Sequence, residues 1–196
     1  STYDSKGIST MYITTPELSK ISIDKKGKVT VKWNAVSGAK GYIVYKSTNG
    51  SNWTRVTKIT NPKTLTYSDT TAKKSGEKYT YTVRAFNGSY TSYFVKSGIS
   101  TMFLAMPTVE LKNDFTPENG SCVKVSWNAV TGAKSYRIYR KTLYTGWTLL
   151  ETVAATNEGA YTDKNVIDGT EYIYTVRAVN ENSVSYYNTA GISCAE

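Results

Sequence analysis

Tyr79-Thr80-Tyr81-Thr82-Val83-Arg84-Ala85 and Tyr172-Ile173-Tyr174-Thr175-Val176-Arg177-Ala178 are two copies of one heptapeptide. In each copy Tyr, Tyr, Val and Ala occupy alternate positions, and Thr or Ile, Thr and Arg occupy the others. A period of two is that of a β-strand with one buried face. The pattern extends outward. Val29-Thr-Val-Lys-Trp33-Asn-Ala-Val-Ser-Gly38-Ala-Lys-Gly-Tyr42-Ile-Val-Tyr45 matches Val123-Lys-Val-Ser-Trp127-Asn-Ala-Val-Thr-Gly132-Ala-Lys-Ser-Tyr136-Arg-Ile-Tyr139. Trp53 and Trp147 keep this spacing, as do Tyr67 and Tyr161. A repeat of roughly 93 residues is a whole domain, too long for a solenoid unit.

A third fragment sets the boundaries. Gly98-Ile-Ser-Thr-Met-Phe103 closes the first copy, Gly191-Ile-Ser-Cys194 closes the second, and Gly7-Ile-Ser-Thr-Met-Tyr12 precedes both. Residues 1–13 therefore read as the closing strand of a preceding repeat plus linker, 14–104 as the first domain and 105–196 as the second. The polar start Ser1-Thr2-Tyr3-Asp4 shows no secretory leader and reads as the cut end of a longer tandem array. An unpaired closing strand at 1–10 is expected to lie on a neighbouring molecule's sheet or against the top of the first domain. The linker Met102–Pro107 has no Gly or Ser and predicts a stiff, elongated pair.

In the first copy, strands are predicted at 17–23, 28–34, 41–47, 54–59, 64–69, 78–87 and 92–101, separated by Gly, Asn and Pro turn signals. Nothing reads as a helix. Seven short strands in about 90 residues indicate an all-β fold, a seven-stranded β-sandwich used twice. Alternation places Val29, Val31, Trp33, Tyr42, Val44, Tyr79, Tyr81, Val83 and Ala85 in the first core. Val123, Val125, Trp127, Tyr136, Ile138, Tyr172, Tyr174, Val176 and Ala178 are their counterparts.

These residues carry a resemblance. The Trp of the second strand (Trp33, Trp127), Tyr-x-Val/Ile of the third (Tyr42 and Val44, Tyr136 and Ile138) and Gly-x-x-Tyr before the sixth (Gly76 and Tyr79, Gly169 and Tyr172) resemble fibronectin type III domains in tandem. The Tyr-rich wording is most similar to copies in secreted and cell-surface proteins of Gram-positive bacteria. The resemblance implies immunoglobulin-like sandwiches with a tyrosine corner at Tyr79 and Tyr172. It also implies that the start of the second strand and the end of the seventh share a pole. Cys122 and Cys194 sit at those two places, which offers a disulfide. Against it, inward Val123 and Val125 turn Cys122 outward. The loop at Asn87–Tyr90 carries no Arg-Gly-Asp, so an integrin role has no support.

The chemistry is narrow. There is no histidine, and the two cysteines have no metal-ligand spacing. No phosphate-binding loop opens a helix. Asp69 and Asp163 read as turn formers. The expectation is no enzymatic activity, no cofactor and no metal. No apolar run reaches the roughly 20 residues of a membrane-spanning helix. Residues 14–104 hold 15 Lys/Arg against 4 Asp/Glu, and residues 105–196 hold 8 against 10. A basic first domain suits an anionic polymer, yet lysines spread over strands and turns also read as a solubilised surface. Nucleic acid is not expected, since there is no recognition helix.

Tyr45 and Tyr139 alternate out of phase with the core beside Arg84 and Arg177. Trp53 and Trp147 follow the third strand's turn. Such rings can stack on sugars, or pack across strands on an outer face. Asn49, Asn52, Asn87 and Asn119 begin Asn-x-Ser/Thr triplets, which read as turn residues in a bacterial protein. The sequence thus reads as a non-catalytic spacer or presentation segment of a secreted or cell-surface multidomain protein. Its partners are neighbouring domains of the parent chain. The alternatives are a module binding glycan, cell-wall polymer or host protein, and an accessory region of a polysaccharide-degrading enzyme.

Overall fold

A computed structural model describes residues 12–24, 27–88, 90–116, 120–155, 158–181 and 183–194. The closing strand expected at 1–10 and Asn119 lie outside them. Among the described residues every regular element is a strand. The chain divides into two compact units. One takes residues up to 21, 30–68 and 79–100, and the other takes 22–29, 69–78 and 101 onward.

In the first copy, β1 (Leu18–Ile23), β2 (Val29–Trp33) and β5 (Thr66–Asp69) form a sheet in the order β1-β2-β5. The opposing sheet runs β4 (Thr54–Ile59), β3 (Gly41–Ser47), β6 (Lys78–Asn87), β7 (Tyr90–Thr91), with β8 (Ile99–Met102) also on β6. The second copy repeats this. Its sheets are β13 (Glu158–Asp163), β10 (Gly120–Asn128), β9 (Val109–Thr116), and β12 (Thr148–Ala154), β11 (Ser135–Lys141), β14 (Ile173–Asn180), β15 (Ser183–Val184), with β16 (Ile192–Ser193) on β14.

The cores follow from alternation. Every residue expected in the first core is buried, with Val29, Val31, Tyr42, Val44, Tyr81 and Ala85 at 0% exposure. Trp33 and Tyr42 meet edge to face at 5.5 Å, and Trp127 and Tyr136 at 5.4 Å. The tyrosines also fix a turn: the Tyr42 hydroxyl accepts from the Val36 N–H at 3.1 Å, and Tyr136 accepts from Val130 at 2.8 Å. Each ring thereby buries apolar area while its oxygen satisfies a backbone donor. Leu104 joins the second core with Val123, Val125 and Trp127. Trp127 lies flat over Gly159, its partner on β13, where a Cβ would meet the indole at 1.9 Å.

Tyr172 departs from the expected core. It is half-buried, packs against the core edge and immediately precedes β14. Its hydroxyl accepts from the Ile167 N–H at 3.3 Å, which is the tyrosine corner the resemblance implies. Tyr79 is 4% exposed.

The closing strand also differs from expectation. Ser92–Thr101 is not continuous: β7 and β8 are separate pieces, and 92–98 leaves the sheet between them. The cause is local and occurs twice. The Ser92 N–H donates to the Ala85 carbonyl, and the Ala85 N–H donates to Ser92 Oγ at 3.0 Å. Ser185 does the same with Ala178. A hydroxyl replaces the next carbonyl of the ladder, so the chain is free to leave. It returns through Gly98 and Gly191, at φ +57° and +78°. In that left-handed region only glycine is unstrained.

Candidate functional site

The excursions decide what the outer aromatics do. Segment 92–98 carries Phe94 over the outside of β3. Tyr45 stacks on Phe94 with centroids 6.2 Å apart and planes at 23°, and Trp53 meets Phe94 edge-on at 5.8 Å. In the second copy Trp147 meets Tyr187 at 6.2 Å and 88°. Tyr139, Trp147, Thr175, Arg177 and Tyr187 line one small cavity of about 60 Å³. Three of the four aromatics singled out in the sequence, Tyr45, Trp53 and Trp147, thus lie against a ring of the excursion, Tyr139 shares a cavity with Tyr187, and all four are only half-exposed.

Phe94 and Tyr187 escape an alternation argument because they lie outside any strand. The repeat marks them, since Ser92-Tyr93-Phe94 and Ser185-Tyr186-Tyr187 keep the spacing of 93. The excursions also cover the outer side of β6 and β14. Thr80, Thr82 and Thr175 are buried although they alternate away from the core.

Arginine is fixed in the same frame. Arg84 Nε donates to the Ser92 carbonyl and Nη2 to Thr91 Oγ1. Arg177 Nε donates to the Ser185 carbonyl at 2.9 Å, and its guanidinium lies 5.0 Å over the Tyr187 ring. Lys141 stands 5.0 Å over Trp147. Cation–π contact favours these placements.

Asp69 and Asp163 form turns as expected, accepting from the N–H groups of Thr71 and Asn165. They are also deeply buried, at 1% exposure each, which the sequence did not suggest. Asp163 Oδ2 accepts from Arg140 at 2.7 Å and from the Tyr174 hydroxyl at 2.9 Å. Arg140 also donates to the Asn165 carbonyl and lies 4.5 Å over the Tyr172 ring. Burial, and then donation to Asp163, push the Tyr174 phenol far above the ordinary tyrosine range. Fully buried, the Tyr174–Asp163 hydrogen bond ties β14 of one sheet to β13 of the other.

The cysteines are free thiols rather than a disulfide. On β10 the side chain of Cys122 alternates to the face of Lys124 and Asp114, which form an ion pair there, and it is buried at 2% exposure. Cys194 packs against the core on the opposite face of the strand. Burial raises its thiol pKa, an effect opposed by the Asn113 N–H donating to it. A shallow cavity of about 570 Å³ opens beside it, lined by Asn113, Gly169, Thr170, Glu171 and Tyr172. Among the described residues no group of three or more His, Cys, Asp or Glu is placed to hold a metal ion.

Sheet order, register and the tyrosine corner give the chain the fold of two tandem fibronectin type III domains. No family model matches it. The chain is 31% identical over 189 residues to exoglucanase B of Cellulomonas fimi, covering 83% of this chain and 15% of that protein. It is 38% identical over 78 residues to a poly(3-hydroxybutyrate) depolymerase of Ralstonia pickettii, covering 40% and 14%. Similar solved structures are the chicken CNTN1 FN1-FN3 domains and a two-domain fibronectin type III segment of chicken tenascin. The first shows 22% identity and a TM-score of 0.43 over 93% of this chain and 65% of that one. The second shows 16% and 0.42 over 93% and 97%. The chain spans about a seventh of the length of the curated relatives it matches.

Proposed function

We propose that the chain is a non-catalytic spacer or accessory segment of a multidomain bacterial enzyme that works on a polymer outside the cell. One observation carries this. The two relatives are named for unlike substrates, a glucan and a polyester, yet each matches this chain over only 15% or 14% of its length. A segment shared between enzymes of different substrates serves something other than substrate chemistry. The buried Asp163 lock and the packed outer aromatics agree, since both hold the fold. The extracellular placement is part of this proposal, because an enzyme that attacks an external polymer too large to be taken up must be exported to meet it. The test is to incubate the 196-residue chain with insoluble cellulose and with poly(3-hydroxybutyrate) granules. The chain should stay in the supernatant and release no soluble product. Product release would overturn the non-catalytic reading, and sedimentation with cellulose would replace the spacer with a cellulose-binding module.

A further inference from the structure

We infer that the outer face of the β4-β3-β6-β7 sheet in the first sandwich binds an acidic polysaccharide, one whose sugars carry carboxylates. This goes beyond the spacer reading and does not depend on it. Residues 39–63 and 79–100 supply this sheet and its connections. They contain seven Lys/Arg and no Asp or Glu. The corresponding stretches of the second sandwich, 133–157 and 172–193, contain five Lys/Arg and two Glu. There Lys134 is tied to Glu181 and Arg140 to Asp163. The excess positive charge of the first half is thus concentrated on a whole sheet, with no acid within it to neutralise it.

Register places three of these cations on one face. Tyr42 and Val44 point into the core, so Ile43 and Tyr45 point out. Lys58 and Arg84 flank Ile43 from β4 and β6, and Arg55 flanks Tyr45 from β4. With strands about 4.8 Å apart, Lys58 and Arg84 stand about 10 Å apart across the sheet. Arg55 and Lys58 are exposed and pair with no carboxylate among the described residues. Lys58 lies 4.5 Å over the Phe86 ring, and Arg84 is held by Ser92 and Thr91. Two of the three cations are therefore already positioned, which lowers the entropic cost of binding. Between them run the half-exposed surfaces of Ile43, Tyr45 and Phe94. An extended chain of sugar rings fits this pattern: its ring C–H faces lie on the apolar strip while its carboxylates reach the flanking cations. A neutral glucan would leave the cations unused.

The test is affinity electrophoresis of the full chain in gels carrying polygalacturonate, with dextran and a thymidine oligonucleotide as comparison ligands. Polygalacturonate should retard the chain, salt should weaken this, and dextran should have no effect. Arg55→Ser with Lys58→Ser should lower the affinity about tenfold. Lys20→Ser with Lys32→Ser, an equal loss of charge from the other sheet, should change it less than twofold. Arg55→Lys with Lys58→Arg, which keeps the charge, should retain binding. No retardation by polygalacturonate, an equal loss in both serine pairs, or tighter binding of the oligonucleotide would each overturn the assignment. The last outcome would make the face a general polyanion or nucleic-acid surface. None of these results bears on whether the chain sediments with cellulose.

Discussion

The two sandwiches share a frame down to single hydrogen bonds, and they differ in how each uses its charges. Both hold a buried aspartate at the end of the fifth strand, both close the sixth strand with a serine hydroxyl, and both pin an arginine to the carbonyl of that serine. At the equivalent place on the third strand, however, the first copy has Lys46 and the second has Arg140. Lys46 stands 5.7 Å from the Tyr79 ring, whereas Arg140 lies 4.5 Å over Tyr172 and forks between Asp163 and the Asn165 carbonyl. A planar guanidinium presents several donors in a fixed fork while its face lies on a ring. The second copy thus turns Arg140 inward and pairs Lys134 with Glu181, while the first leaves Arg55 and Lys58 facing water. Constraint is greatest where backbone groups must be satisfied and least on the open sheet, where the repeats have diverged.

The largest expected effect strikes the most buried part of this comparison. Asp163→Ala removes the acceptor of Arg140 and Tyr174 and leaves a partly buried charge without compensation, which costs about 3–5 kcal/mol. That is a large share of the ~5–15 kcal/mol stability of a domain. Hydrogen exchange should show β14 losing protection while β6 keeps it. Equal loss in β6 and β14 would show that the copies do not unfold separately, and the comparison would have to be made on the pair.

The frame was legible because both sheets obey period two and the chain states its pattern twice. Trp33, Tyr42, Tyr81, Val83 and their counterparts could be placed by alternation alone. The outer face was not legible for the same reason. Thr82 and Thr175 alternate outward, and only the excursions, which have no period, cover them. The break in the seventh strand depends on a single hydroxyl at Ser92 or Ser185, in a stretch whose apolar content reads as continuous. Cys122 could be oriented by register, yet its burial at a position alternating away from the core could not be read from the pattern. The three cations of the first sandwich could be counted in sequence. Their convergence needed the β3-β4 and β3-β6 registers.

A pH prediction sharpens the inward use of charge. Tyr174 has its folded pKa raised above the unfolded value of ~10, by burial and by donation to Asp163. Its contribution to stability is therefore complete below about pH 10 and is lost as pH rises further, because only the unfolded chain can ionise it there. Melting temperatures from pH 8 to 11.5 should fall above about pH 10, and the fall should be shallower in Tyr174→Phe. Parallel curves for the two proteins would show that the phenol titrates freely, and that the Asp163 lock is looser than its geometry indicates.

The smallest effect separates the outer faces themselves. Thr82 and Thr175 occupy equivalent places, opposite Tyr45 and Tyr139 on the neighbouring strand. Thr82 is 1% exposed and its hydroxyl has no hydrogen-bond partner. Thr175, at 3% exposure, borders the cavity of about 60 Å³ beneath Trp147 and Tyr187. That space admits a water that can bond a hydroxyl. Valine has the shape of threonine without the polar atom. Thr82→Val should therefore stabilise the first sandwich by about 1 kcal/mol, because a buried unpaired group is removed. In a domain of this size that raises the melting temperature by roughly 4–8 °C. Thr175→Val should be neutral or slightly destabilising, since it makes part of the cavity apolar and gives up the hydroxyl's partner. If both substitutions stabilise equally, the cavity is dry and the two outer faces are packed alike. If only Thr82→Val does, the first copy has sealed its face with Phe94 at the expense of one hydroxyl, and the second has kept a polar niche beside Arg177.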